Sequence, residues 1–156
     1  MSPAPVARLA SACGDQFAAR AASAALWRNT PLLPAPVTQE VPAAEVGLVA
    51  FGSSHWAMVE ALEQLKAAGV DASYQRVRAL PLHPDVHAFA RKHARVYVIE
   101  QNRDGQLAER LRAELPEKAA SIRSVLHYTG LPLDARSVTD GVLAHEAVPV
   151  TEGASR

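Results

Sequence analysis

From residue 45 onward the chain repeats one two-part unit. A short apolar run is followed by a stretch whose apolar positions recur at helical spacing, and such runs open near residues 46, 73, 96 and 122. Val46-Gly-Leu-Val-Ala-Phe51 is continuously apolar and ends at Gly52-Ser53-Ser54. It reads as a buried strand leading into a helix, with Ser53 or Ser54 as N-cap. Met58, Val59, Leu62 and Leu65 then share one helical face, and Gly69 stops the helix. Over 73–80, Tyr74, Arg76 and Arg78 alternate with Gln75, Val77 and Ala79. That pattern predicts an edge or partly exposed strand. Pro84 suits the first turn of a helix whose face carries Val86, Phe89, Ala90 and His93. Val96-Tyr-Val-Ile99 is continuous and β-branched, which predicts a central strand. Leu107, Leu111 and Leu115 mark a third helix, and Ile122, Val125 and Leu126 a fourth strand. The expected strands cover 46–51, 73–79, 95–100 and 122–126, and the expected helices 54–68, 84–93, 104–115 and 134–144. Alternation of this kind builds a three-layer α/β/α domain around a mostly parallel sheet of four or five strands.

The first 44 residues are different. They hold six of the eleven prolines and only five formal charges. Pro31-Leu-Leu-Pro-Ala-Pro36 cannot be a helix interior or a central strand, and reads as an extended connector. Val6, Leu9, Cys13 and Phe17 recur at helical spacing, which predicts one weak helix over about 5–27. The same segment is rich in Ala, Arg and Ser. That suits either an Ala/Arg-biased tail, the reading adopted here, or a mitochondrial transit peptide. The expected division is a partly disordered segment and connector over 1–44, the α/β domain over 45–145, and a flexible tail over 146–156.

Charge and cysteine content exclude several functions. Lys and Arg together number 16, as do Asp and Glu, so the net charge is zero and no bulk field attracts nucleic acid or an anionic membrane. Aromatic residues are only 5%, too few for a base-stacking platform. The single cysteine, Cys13, excludes an intramolecular disulfide and any all-cysteine metal or cluster site in this chain. No apolar run reaches the roughly 18–20 residues of a membrane span. The expectation is a cytoplasmic chain with neither nucleic acid nor membrane as partner.

In sheets of this kind the site lies beyond the carboxyl ends of the strands. Two polar loops fall there, 52–55 and 100–106. Gly52-Ser53-Ser54-His55 could offer backbone N–H groups and hydroxyls to an anion, or simply cap a helix, and it lacks the Gly spacing of a nucleotide loop. Glu100-Gln-Asn-Arg-Asp-Gly-Gln106 follows the most apolar strand with seven polar or glycine residues. Glu100 could serve as a general acid or base, but no nucleophile and base pair accompanies it. The loop is either a recognition loop or a turn in which Asn102 or Asp104 caps the next helix. His83 and His87 have the spacing to share a metal, with His93 beyond, but His83 precedes Pro84 and no HExxH glutamate is present. These histidines read as surface residues. No Gly-x-Ser-x-Gly motif occurs. No catalytic or metal-ligating residue is assigned. The interface or ligand-binding candidates are Gly52, Ser53, Ser54, Glu100, Gln101, Asn102, Arg103, Gly105 and Gln106.

Several segments, in order, resemble a known family. They are Val46–Ser54, Glu60-Ala61 with Leu65, Arg76-Val-Arg-Ala-Leu-Pro81, Val96-Tyr-Val-Ile-Glu-Gln-Asn-Arg-Asp-Gly-Gln106, and Leu126-His-Tyr-Thr-Gly-Leu-Pro-Leu133 with Ala135-Arg136. Together they resemble the C-terminal region of the alpha subunit of 2-oxoacid:ferredoxin oxidoreductases, 2-oxoglutarate type, over about residues 30–142. The resemblance implies a transketolase C-terminal-domain-like fold. It implies a parent complex that decarboxylates a 2-oxoacid using thiamine diphosphate, Mg²⁺, iron–sulfur clusters and coenzyme A, and that passes electrons to ferredoxin. None of these cofactors is expected on this chain, because the family holds thiamine diphosphate in other domains. Gly14-Asp15-Gln16 is not the family's Gly-Asp-Gly diphosphate motif. The expected role is therefore a non-catalytic assembly domain or subunit, partnered by the thiamine-binding alpha and beta parts and inactive alone. The alternatives are a free-standing small-anion or regulatory module on the same fold, and an inactive remnant of a split alpha subunit.

Overall fold

The computed structural model describes residues 33–146. The helix expected over 5–27 and the tail beyond Glu146 lie outside them. Five strands, β1 (Val37–Gln39), β2 (Val46–Phe51), β3 (Ala72–Val77), β4 (Arg95–Glu100) and β5 (Ile122–Leu126), form one sheet. Its order is β1-β3-β2-β4-β5. β2, β3, β4 and β5 run parallel, and β1 is antiparallel to β3. Three helices connect the parallel strands, α1 (His55–Ala67), α2 (Pro84–Lys92) and α3 (Gln106–Glu114), and α4 (Ala135–Glu146) follows β5.

Strand alternation splits the core into two layers. Leu48 and Ala50 of β2 and Tyr97 and Ile99 of β4 face Met58, Ala61 and Leu65 of α1 and Val138 and Val142 of α4. Val49, Val96 and Val98 face the other way, onto Val86, Phe89 and Ala90 of α2 and Leu107, Ala108 and Leu111 of α3. Both faces of the sheet are thus covered, which is why β2 and the Val96–Ile99 part of β4 are continuously apolar rather than alternating. Gly47 marks a close approach of the sheet to the segment that packs on it. A Cβ there would lie 2.8 Å from His93 Cγ and 2.9 Å from Phe89 Cε1.

Three expectations need correction. The first concerns β1, which lies inside the segment expected to be a connector, so the sheet begins at Val37 rather than at residue 45. Its three residues sit between Pro36 and Pro42, so no proline interrupts the ladder, and β1 occupies an edge, where short strands belong. Val37, Thr38 and Gln39 lie opposite Arg76, Gln75 and Tyr74. Side chains reinforce the pairing. Gln75 Nε2 donates to Thr38 Oγ1 at 3.0 Å, and the Val41 N–H donates to Ser73 Oγ at 3.0 Å. The second follows from the first: β3 is interior, not an edge, and its Ser73, Tyr74 and Gln75 are buried. The third concerns the histidines. His93 is buried against Phe89, with Nδ1 2.8 Å from the Phe89 carbonyl oxygen. His83 caps α2 by accepting from the Asp85 N–H at 3.2 Å, and His87 Nε2 lies 2.7 Å from Glu114 Oε2. Each histidine is engaged in packing or capping. No group of three potential metal ligands occurs among the described residues. Nor is any of the described helices long and apolar enough to cross a membrane.

Candidate functional site at the carboxyl edge

Because β2 and β4 are adjacent and parallel, their carboxyl ends bring the two polar loops side by side. Between them lies a depression of about 510 Å³. Ser53, Ser54, Glu100, Gln101, Asn102 and Gln106 line it, so six of the nine candidates converge on one place. Gly52, Arg103 and Gly105 do not line it. Arg103 points outward and pairs with Asp104 at 2.8 Å rather than with Glu100. Gly52 and Gly105 both have positive φ, and Gly105 turns the chain into α3.

Glu100 decides what this place can do. It is only 6% exposed. Its carboxylate accepts from the Leu107 N–H at 2.7 Å, the Ala108 N–H at 3.1 Å and Asn102 Nδ2 at 2.9 Å. Glu100 is therefore the cap of α3, and its negative charge sits at the positive end of that helix. Asn102 supports the turn instead, accepting from the Asp104 N–H at 3.1 Å and the Gly105 N–H at 2.7 Å through Oδ1. The helix end that could have taken an external anion is filled by the protein's own carboxylate. Ser54 occupies the N-cap position of α1, but its side chain makes no cap bond to the helix. Ser54 Oγ instead accepts from Gln101 Nε2 at 3.1 Å, which ties the two loops together.

The rest of the lining comes from Phe51, Leu80, Ile99, Leu107 and Arg110. Sequence reasoning assigned none of these to the site. The signals were present: Phe51 and Ile99 stand at the ends of their apolar runs, Leu80 follows β3, and Arg110 lies one helical turn after Gln106. Arg110 Nη2 pairs with Glu114 at 2.9 Å. The depression thus combines apolar walls, uncharged amides and hydroxyls, one partnered guanidinium and one buried carboxylate that accepts three hydrogen bonds. It contains no nucleophile held against a base.

No protein-family model matches the chain. Over 101 residues it is 39% identical to subunit alpha of 2-oxoacid:ferredoxin oxidoreductase 2 from Aeropyrum pernix, a stretch that is 64% of this chain and 15% of that subunit. The chain therefore spans only a small part of the curated relative it matches. Among solved structures, the 2-oxoglutarate:ferredoxin oxidoreductase from Magnetococcus marinus superposes with a TM-score of 0.60 at 20% identity, covering 92% of this chain and 24% of that one. A split-gene transketolase, described as an inactive beta4 tetramer, superposes with a TM-score of 0.56 at 21% identity, covering 69% of this chain and 40% of that one. These two likenesses establish the fold, a transketolase-like three-layer α/β/α domain. Sequence and fold together relate this chain to one part of the alpha subunit of a 2-oxoacid:ferredoxin oxidoreductase.

Proposed function

We propose that this chain is a non-catalytic assembly domain of a thiamine-diphosphate-dependent 2-oxoacid:ferredoxin oxidoreductase acting on 2-oxoglutarate. The observation that carries the reading is the 39% identity to an alpha subunit over 101 residues. The site's chemistry supports it. Glu100, the one carboxylate facing the depression that could have moved a proton, is committed to the end of α3. In this reading, thiamine diphosphate with Mg²⁺, the iron–sulfur clusters and coenzyme A belong to the other parts of the complex. This chain completes their packing.

The test is co-expression with the thiamine-binding alpha-type and beta chains of the oxidoreductase, followed by affinity purification through this chain. Recovery of both chains in fixed proportion is the expected result. Recovery of this chain alone overturns the reading. The depression favours one competing reading, a small-ligand module. A thermal-shift screen with nucleotides, carboxylates and inorganic phosphate separates the two. A ligand-dependent rise in melting temperature that Gln101→Ala and Gln106→Ala abolish would favour the module.

A further inference from the structure

The sequence contains two Asp–Gly steps, Asp104–Gly105 and Asp140–Gly141. Such a step is chemically vulnerable, because glycine has no side chain to shield its nitrogen from the preceding aspartate. The glycine nitrogen attacks the aspartate Cγ. The N–Cγ bond forms, the Cγ–OH bond breaks, and water leaves with the amide proton, closing a five-membered succinimide. Water then reopens the ring. Opening at the former peptide carbonyl gives isoaspartate, whose main chain runs through Cβ and Cγ. The two steps stand in different settings. Asp140–Gly141 lies inside α4, with Gly141 packed against Val125. Asp104–Gly105 lies ahead of α3, in the loop beside the depression.

No helix ladder holds the second step. Gly105 is the left-handed residue before α3, so its N–H falls outside the intrahelical bonds. Asn102 holds it instead. Asn102 Oδ1 accepts from the Gly105 N–H at 2.7 Å and from the Asp104 N–H at 3.1 Å, and Asn102 Nδ2 donates to Glu100 Oε1 at 2.9 Å, which fixes the amide. To attack, the Gly105 nitrogen must leave its peptide plane and lose its proton, and both disrupt the bond to Asn102. Asp104 itself is exposed, and its carboxylate meets only Arg103, an exposed partner that restrains it little. The consequence of the reaction is local and large. Isoaspartate adds one atom to the main chain beside Gly105, where a Cβ would already lie 3.2 Å from Ser124 Oγ. The start of α3, whose Leu107 and Ala108 N–H groups bond Glu100, would shift with it.

We infer that Asp104 is a site of spontaneous isomerisation to isoaspartate, and that Asn102 is the positioning residue that keeps it as aspartate while the loop is folded. Conversion proceeds in chains whose loop has opened, and it displaces Asn102 and Gln106, two residues that line the depression. The inference stands independently of the assembly role proposed above.

The test ages the full chain in neutral buffer, folded and in denaturing urea, as wild type, Asn102→Ala and Asn102→Ser. Peptide mapping by mass spectrometry, with enzymatic methylation of isoaspartate, follows Asp104 and Asp140 separately. In urea both sites should convert. In the folded wild type Asp104 should convert at least about fivefold more slowly, the rate equivalent of one hydrogen bond. Asn102→Ala should recover most of that factor at Asp104 and leave Asp140 unchanged, and Asn102→Ser, which keeps an acceptor oxygen, should fall between. If Asn102→Ala melts early, the serine variant and the wild-type comparison carry the test. Equal conversion of Asp104 in folded and unfolded wild type would overturn the inference, as would an unaltered rate in Asn102→Ala. A rise at Asp104 and Asp140 together would assign the effect to global unfolding and overturn the role of Asn102. Conversion of Asp140 alone in urea would overturn the site itself.

Discussion

A buried carboxylate that accepts from two backbone N–H groups at a helix start holds that helix end in place. Glu100 is in that position, and its contribution belongs to stability. Glu100→Ala strands two N–H groups at the start of α3, so it should lower the unfolding free energy by about 3 kcal/mol. Asn102→Ala, which loosens only the turn, should cost about 1 kcal/mol. Urea denaturation of the two variants measures both, and a larger loss from Asn102→Ala would reverse the assignment of the cap. Two tyrosines make a second residue-scale prediction. Burial pushes the Tyr97 phenol up to about 12, reinforced by its 2.6 Å hydrogen bond to Glu146 Oε1. Burial likewise pushes Tyr74 up to about 12. In the unfolded chain a phenol titrates near 10, so the native state keeps these protons longer. The resulting stability is complete below about pH 10 and lost as pH rises towards 12. Melting temperatures recorded across that window should fall steeply in wild type and less steeply in Tyr97→Phe. An equal slope in both would show that Tyr97 is not linked to folding.

Among the elements, β1 shows where reading a sequence stops. The four parallel strands and four helices were legible because each is long enough to display its period of 2 or 3.6 residues. Three residues between two prolines display no period, and what makes them a strand is the partner they meet. That partner, β3, was misread for the same reason: its arginines and Gln75 suggest exposure until β1 is laid beside it. The two polar loops at the carboxyl edge were also legible, because strand order alone puts them there. The inward turn of Glu100 was not. It reaches seven and eight residues along the chain, to the N–H groups that donate to it, and it depends on the left-handed turn at Gly105, φ +63°. A chain beginning at residue 45 removes the ladder on β3 and the Thr38 hydroxyl that accepts from Gln75 Nε2. It should lose about 2 kcal/mol, on the order of 10 °C in melting temperature, relative to one beginning at residue 33. Limited proteolysis of the full chain should leave a core that begins before Val37. A core beginning near residue 45 that melts like the full chain would show that β1 adds nothing.

At the scale of the whole molecule, the isolated chain should not bind thiamine diphosphate with Mg²⁺ at micromolar affinity. Metal-bound diphosphate needs several oxygen ligands placed together, and no group of three potential ligands occurs among the described residues. A clear one-to-one calorimetric isotherm would refute this. The two ends of the described chain lie at opposite rims of the sheet. Leu33 is at the carboxyl edge. Glu146 is pinned at the amino edge, where Arg95 Nε at 2.8 Å and the Tyr97 hydroxyl both bond its Oε1. A strand of six residues separates the rims by ~20 Å. A handle attached behind Glu146 therefore hangs from a fixed anchorage on the far side of the domain, whereas one placed just ahead of Leu33 crowds the carboxyl edge. Immobilised by its tail, the protein should present the depression at that edge to solution like a bowl held by its base.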